Sequence, residues 1–514
     1  MTIIRACRAA RVLLQPETCG LALLLAAALL PAAAAAQTWT VGMTAGRQPL
    51  EAISVPAQQA GAPRILVLGG LSGDRASSTA VDLAYEAYVN SANNHLDVSF
   101  LARANPEAEP LTFPPVAPAY GGDPTAWSLW QFLTSHAPDA VFIVGGDEFG
   151  LGPALAEGLP GLGPVPYLTL DYENEVIAAI DGPRFYPPSP AHETLQARLA
   201  RGTQRLAAGL AASYGQSLGP LTYIPGMALI GRLRLGQVSE VEAIVATQLD
   251  SIAGMDIDNS LAIAGHLLLA ELAERTGNAS YLSLARRAAD LGFDAVGNPR
   301  EAMPFHGEYS DAFFMATPLL AKVGKLTGEA RYFDLAQRHV DFLAARLLRP
   351  DGLYNHWPRA EAAWGRGNAF VLLGLALALS DIPASHPAQA RLLALYRDLV
   401  TALLPHVDVD GMWHNVIDVK GSFAELSATA MIATAVQRGV AEGWLDAFHQ
   451  DVVDRAWEGV LTRTDADWGF LAVCESTPGQ PSLDAYLDRR ALSGRDERAG
   501  GMMLLFATER LRLR

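Results

Sequence analysis

The chain has 514 residues, of which 50% are hydrophobic and 18% charged, with a net charge of −16. That length and composition give two or three domains with sizeable cores and exclude a disordered chain. So acidic a balance also excludes a nucleic-acid binder, whose affinity rests on excess positive charge. Arg5, Arg8 and Arg11 precede an apolar run from Leu21 to Leu30, and Pro31 with the following alanines offers a cleavage site near Ala36. Residues 1–36 are therefore expected to be a secretory signal peptide. The run is too short for a comfortable membrane span and no later segment makes one, so the mature chain is expected to be secreted or periplasmic with no membrane span. Cys7 and Cys19 leave with the signal, and Cys474 alone cannot form an intrachain disulfide. Loss of the three arginines makes the mature chain still more acidic, so an anionic ligand would have to be held by local cations such as Arg366.

From residue 37 to 225 short apolar runs alternate with helical patterns. Arg64–Gly70, Leu96–Leu101 and Asp139–Val144 are strand-like, and Val81–Val89 and Ala126–Ser135 have helical length. Buried strands separated by crossover helices predict an α/β domain with a mostly parallel sheet. The loop after the first of these strands, Leu68-Gly-Gly-Leu-Ser72-Gly-Asp74-Arg75, followed later by Asn105-Pro106-Glu107, is similar to that of zinc carboxypeptidase-type peptidases. The resemblance implies a degenerate zinc-peptidase-like domain, because Ser72 and Asp74 stand where that family has metal-binding His and Glu, and a site short of a nitrogen ligand binds zinc poorly. An ordinary Gly-rich turn leaving a strand explains the same residues. The loop lacks the Gly-Lys-Ser/Thr ending of a phosphate loop. A helical stretch, Ala191–Tyr214, and the turn at Gly219-Pro220 mark a linker region.

From residue 226 to 514 apolar residues recur at helical spacing. Leu272-Ala-Glu-Arg-Thr276-Gly277-Asn-Ala-Ser-Tyr281 parallels Val323-Gly-Lys-Leu-Thr327-Gly328-Glu-Ala-Arg-Tyr332, so in each copy a helix stops at Gly and restarts with an aromatic residue. A second recurring element, Asp351-Gly352-Leu-Tyr354 and Asp410-Gly411-Met-Trp413, sits where paired helices would be joined. The remaining length accommodates about six helical hairpins, which predicts an all-α (α/α)6 toroid; an open superhelix is the competing architecture and would make a binding scaffold.

Residues 306–370 concentrate acids, histidines, tryptophans and an arginine as a small-molecule pocket requires. Here the chain resembles the unsaturated glucuronyl and rhamnogalacturonyl hydrolases, glycoside hydrolase families 88 and 105. The resemblance rests on Asp256-Ile-Asp258-Asn259, Asp311-Ala-Phe-Phe-Met315-Ala-Thr-Pro318, Leu353-Tyr-Asn-His356, Trp364-Gly-Arg366-Gly-Asn368, Gly411-Met-Trp413 and Glu425-Leu-Ser427-Ala-Thr429. It implies a six-hairpin glycosidase that removes a 4,5-unsaturated uronic acid from oligosaccharides left by polysaccharide lyases. The chemistry implied is hydration of a vinyl ether, with Asp311 as general acid/base and Asp258 as its partner acid, each tuning the other's proton affinity. His306, His356, Trp364, Arg366, Asn368, Phe370 and Trp413 fall at the family's substrate-holding positions. Ala369-Phe370 stands where the family has Gly-Trp, which bears on substrate choice.

Each residue also has a structural explanation. Asp258 and Asp311 could cap the helices that follow them, the histidines could be satisfied core groups, Arg366 could pair with Glu361, and Trp413 could plug a loop base. No cluster of His, Cys and acids has metal-ligand spacing, and the hydration needs no metal or other cofactor. A non-catalytic glycan-binding protein, or a hydrolase with its chemistry in the α/β domain, is the alternative.

Overall fold

A computed structural model describes residues 36–91, 94–116, 122–171, 173–182 and 185–512. The expected signal peptide, Ala36 apart, lies outside the described residues. Strands β1 (Gln37–Met43), β2 (Pro49–Val55), β3 (Arg64–Leu68), β4 (Asp97–Leu101), β5 (Ala140–Val144) and β6 (Tyr167–Leu170) form one sheet in the order β1-β2-β4-β3-β5-β6. The last four in that order are mutually parallel, whereas β1 pairs antiparallel with β2 and β2 antiparallel with β4.

The three strands predicted from apolar runs are present. β1, β2 and β6 carry no continuous apolar run, because part of each faces solvent. Helices α1 (Arg75–Val89) and α4 (Glu173–Asp181) cover one face of the sheet, and α2 (Pro124–His136), α3 (Leu151–Glu157) and α5 (Pro190–Leu199) cover the other, giving two separate apolar layers.

Among the described residues, fourteen further α-helices follow in chain order: α6 (Thr203–Ser213), α7 (Tyr223–Arg234), α8 (Val238–Ala246), α9 (Leu249–Gly254), α10 (Ser260–Thr276), α11 (Ala279–Asp290), α12 (Ala312–Thr327), α13 (Arg331–Leu347), α14 (Gly365–Leu379), α15 (Pro387–Leu403), α16 (Leu426–Ala441), α17 (Gln450–Thr462), α18 (Leu483–Leu487) and α19 (Glu497–Leu511). Helices α7, α10, α12, α14, α16 and α19 each pack on the next, and α19 packs back on α7, so the ring is closed. Helices α8, α11, α13, α15 and α17 lie outside it, and α6 covers α19. The toroid's outer layer thus begins at Thr203, ahead of the expected division at residue 225.

Inner and outer helices differ in sequence for a physical reason. All fifteen residues of α14 are buried, and from Ala369 on it is apolar around its whole circumference, whereas α13 and α17 alternate buried and exposed faces. Small residues let the inner helices approach: a Cβ on Gly374 of α14 would lie 2.8 Å from the backbone of Phe313 and Phe314 on α12. The repeat read from sequence is a pair of left-handed caps, Gly277 at φ 69° and Gly328 at φ 73°.

The segment 191–214 is not a free linker. It forms α5 and α6, and Arg198 donates to the carbonyls of Gly161 and Thr462 while Arg201 donates to those of Thr464 and Asp465. The α/β domain also docks on the loops that precede the inner helices. β1 bulges at Gly42, against Gly421, where an added Cβ would lie 2.5 Å from the Gly42 carbonyl. Trp127 meets Phe423 edge-on, and Arg47 pairs with Asp488.

Candidate active site

The N-terminal ends of the inner helices converge on a cavity of about 440 Å³ lined by Tyr223, Ser260, Leu261, His306, Tyr309, Asp311, Ala312, Met315, His356, Trp364, Arg366, Phe370, Arg498 and the loop Ser476–Pro478. The aligned helix ends make this mouth electrostatically positive, which suits an anionic ligand in an acidic protein.

Asp311 occupies the cap position of α12, but its side chain makes no capping bond; its carbonyl accepts the Phe314 and Met315 amides. The carboxyl is therefore free of the structural role that its position suggested. Its side chain is 25% exposed, and Oδ1 is buried with no hydrogen-bond partner, 3.4 Å from Nε2 of His356. An idle buried carboxylate oxygen is costly and marks a group held for use.

The loop before it is strained. Phe305, Gly307 and Glu308 all have positive φ, at 62°, 55° and 54°. Glu308 is tied to Arg346 at 3.0 Å, and its amide donates to His306 Nδ1 at 2.9 Å. Burial pushes the His306 imidazole below its ordinary value, which favours its neutral form.

His356 is buried, and its Nδ1 is 2.7 Å from the hydroxyl of Tyr486. Around it stand Trp364 at 4.4 Å and Tyr309 at 5.1 Å between ring centroids, with Trp357 stacked on Tyr309. Asn368 positions this wall without lining the cavity: its amide accepts from the Tyr354 N–H and donates to the Tyr354 and Trp364 carbonyls. Phe370 lines the floor against Phe314 and Tyr223. Burial raises the Tyr223 phenol to about 12.

Arg366 lines the cavity but does not pair with Glu361. It donates to Ser427 Oγ and to the carbonyls of Cys474 and Glu475, lies 4.8 Å over Trp364, and holds the loop that carries Ser476–Pro478. Behind it Glu425 caps α16, accepting the amides of Ser427 and Ala428 and that of Cys474.

Besides Asn368, two predicted residues lie off the cavity. Asp258 is exposed and accepts from the Asn259 side chain at 2.7 Å; Asn259, not Asp258, caps α10. Trp413 is fully buried with its indole N–H on the Leu403 carbonyl, so it plugs a loop base. Ser72 and Asp74 form a helix cap, with Asp74 accepting the Ser77 amide at 2.8 Å, and no group of three or more potential metal ligands occurs among the described residues.

Sequence reasoning missed Tyr223, Tyr309, Ser476–Pro478, Tyr486 and Arg498. Arg498 left a signal: a cation in the first turn of an apolar helix opposes the helix dipole, and such a residue needs a local reason.

The sequence profile of Glycosyl Hydrolase Family 88 matches residues 241–514. The unsaturated 3S-rhamnoglycuronyl hydrolase of Alteromonas sp. (strain LOR) is 29% identical over 173 residues, 31% of this chain and 42% of the relative. The unsaturated rhamnogalacturonyl hydrolase YesR of Bacillus subtilis is 29% identical over 244 residues, 43% of this chain and 68% of the relative. The chain thus spans less than half the length of the first of these relatives. Among solved structures, a possible member of the GH105 family from Klebsiella pneumoniae superposes with a TM-score of 0.53 at 22% identity, over 65% of this chain and 96% of that one. A family 105 glycoside hydrolase of C. acetobutylicum superposes with a TM-score of 0.52 at 19% identity, over 60% of this chain and 99% of that one. These likenesses agree with the closed helical ring. With the profile covering more than half of its residues, the chain belongs to glycosyl hydrolase family 88.

Proposed function

We propose that this protein is a glycosidase that removes a 4,5-unsaturated uronic acid from the non-reducing end of lyase-generated oligosaccharides by hydrating the vinyl ether. The observation that carries the reading is the carboxyl of Asp311. It stands at a cavity of a volume usual for small ligands, roughly 300–1,000 Å³, does not cap its helix, and has one oxygen buried with no hydrogen-bond partner. The names of the relatives, unsaturated rhamnoglycuronyl and rhamnogalacturonyl hydrolases, support the same substrate class.

In this reading Asp311 protonates C4 of the unsaturated ring, and the positive charge that develops at C5 is shared with the ring oxygen. Water adds at C5 and returns a proton to Asp311. The hemiketal so formed opens, and the remaining sugar chain leaves with its hydroxyl. Arg366, Arg498 and the inner-helix N-termini favour the uronate carboxylate, His306 meets polar groups of the sugar, His356 stands against Asp311, and Trp364 and Phe370 supply apolar surface. We assign Asp258 to the rim, where it bears on the substrate through solvent, so that Asp311 gives and takes the proton alone. Residues 1–36 direct the chain out of the cytoplasm, which cell fractionation tests.

The test is loss of the ultraviolet absorbance of the conjugated uronate when the protein meets lyase-generated oligosaccharides from pectin, ulvan and glycosaminoglycans. Consumption of one pool, abolished in Asp311→Asn and only weakened in Asp258→Asn, is expected. Sugar binding without turnover of any pool would replace this reading with that of a glycan-binding protein.

A further inference from the structure

Asp311 and His356 face each other, and the protonation of the imidazole decides which of the two can donate to the other. Nε2 of His356 is 3.4 Å from Asp311 Oδ1, and Nδ1 is 2.7 Å from the Tyr486 hydroxyl. That hydroxyl is already engaged as an acceptor, because the Gln480 backbone N–H donates to it at 3.2 Å. A phenol has a single proton to donate. Tyr486 is fully buried, burial raises its pKa and so keeps the proton in place, and Nδ1 is the acceptor within reach. With Nδ1 accepting, a neutral imidazole carries its own proton on Nε2, the atom that faces the acid.

We propose that Tyr486 is a positioning residue for the acid: by donating its hydroxyl proton to His356 Nδ1 it holds the imidazole as the Nε2–H tautomer aimed at Asp311 Oδ1. The inference rests on the reading of Asp311 as proton donor. Its consequence is directional. An imidazole presenting a bare Nε2 would compete for the acid's proton. One presenting Nε2–H cannot accept it; it stabilises the carboxylate left after protonation of the substrate and leaves Oδ2 as the oxygen that carries the proton.

Tyr486 is itself held by both domains. It shares one apolar cluster with Trp364, Ala362 and Val416 of the toroid loops and with Met43 and Trp127 of the α/β domain. Arg47, just past β1, pairs with Asp488, one residue beyond the end of α18. The α/β domain thereby acquires a part in the site, as the brace behind the residue that sets the tautomer.

The test uses the full chain with ¹⁵N-labelled histidine, under conditions where the imidazole is neutral. Two-bond proton–nitrogen correlations separate the tautomers, and His356→Gln identifies the signal. The wild type is expected to show Nε2–H. In Tyr486→Phe, which keeps the ring and its packing, the signal should move toward Nδ1–H or a mixture, and kcat should fall roughly tenfold or more with KM little changed. Met43→Ala, which loosens the brace and spares the hydroxyl, should move both readouts in the same direction by less. An Nδ1–H tautomer in the wild type, or an unchanged tautomer and kcat in Tyr486→Phe, overturns the proposal. The tautomer is measured without turnover, so a Tyr486-dependent Nε2–H signal in a chain that consumes no oligosaccharide supports the proton assignment and counts against the hydrolase reading alone.

Discussion

The two mouths of the helical ring treat charge in opposite ways. At the rear, where the inner helices end, a cavity of about 670 Å³ is larger than the one at the front, and its lining includes Arg234, Glu271, Glu274, Lys322, Asp381 and Glu509. These groups answer one another. Lys322 Nζ is 3.2 Å from Glu271, 2.7 Å from Glu274 and 3.1 Å from Asp381, and Glu509 takes both Arg234, at 3.3 Å, and Arg438. Cations there also meet the negative ends of the helices. At the front, Asp311 keeps an oxygen without a hydrogen-bond partner, and Arg498 has a single contact, 3.4 Å to Asp496. Volume therefore does not locate the chemistry in this fold. Groups buried without structural employment do.

That contrast can be broken from either end. Asp311→Asn should lower kcat by about a thousandfold or more and leave the melting temperature where it was. A variant that melts early would put Asp311 with the structural charges of the rear. Lys322→Met should do the reverse: it takes a buried cation from Glu271, Glu274 and Asp381, of which the last two keep Lys325 at 2.7 and 2.9 Å, and it lowers stability by about 3 kcal/mol in denaturant unfolding, while the folded fraction keeps its kcat.

Glu509 sharpens the comparison through pH. Burial alone would raise its carboxyl, but Arg438 and Arg234 bring it down to about 2, from an ordinary 4.5. Because the folded value lies below the unfolded one, the stabilisation is complete above pH 4.5 and is lost as pH falls toward 2. Glu509→Gln should flatten that acid limb and cost about 3 kcal/mol at neutral pH, with no effect on the pH profile of kcat. The smallest change is expected from Arg498→Gln at the front: KM for the anionic substrate should rise about tenfold with kcat nearly constant. An equal fall in kcat would mean that Arg498 bears on the reacting ring and not only on binding.

Local patterns carried much of this into the sequence. The Thr-Gly stops at Gly277 and Gly328 are visible because a left-handed cap has a residue preference of its own. The buried runs of β3, β4 and β5 are visible because burial on both faces leaves an unbroken apolar string. The order of motifs from Asp311 to Asn368 marked the wall of the site. Other features left little trace. β6 is short and half exposed. Ser476–Pro478 joins the site because Arg366 ties the end of the strand Phe470–Cys474 to α14, and Tyr486 because its ring packs with Trp364 and Met43. Asn368 shares a motif with Trp364 and Trp413 ends another of the family's motifs, yet one is a strut bonded to the Tyr354 and Trp364 carbonyls and the other a loop plug bonded to the Leu403 carbonyl.

By itself the sequence determined that the second half is a set of paired helices, that apolar residues recur through it at helical spacing, and that an acid stands at the start of one of those helices. These follow from periodicity and capping, which act between residues a few positions apart. Only the tertiary structure decided that the ring closes where α19 packs on α7, that Asp311 is left free while Asn259 does the capping expected of Asp258, and that the α/β domain stands behind Tyr486. The closure and the brace depend on contacts between residues hundreds of positions apart, and no local pattern encodes which distant partner a side chain will meet.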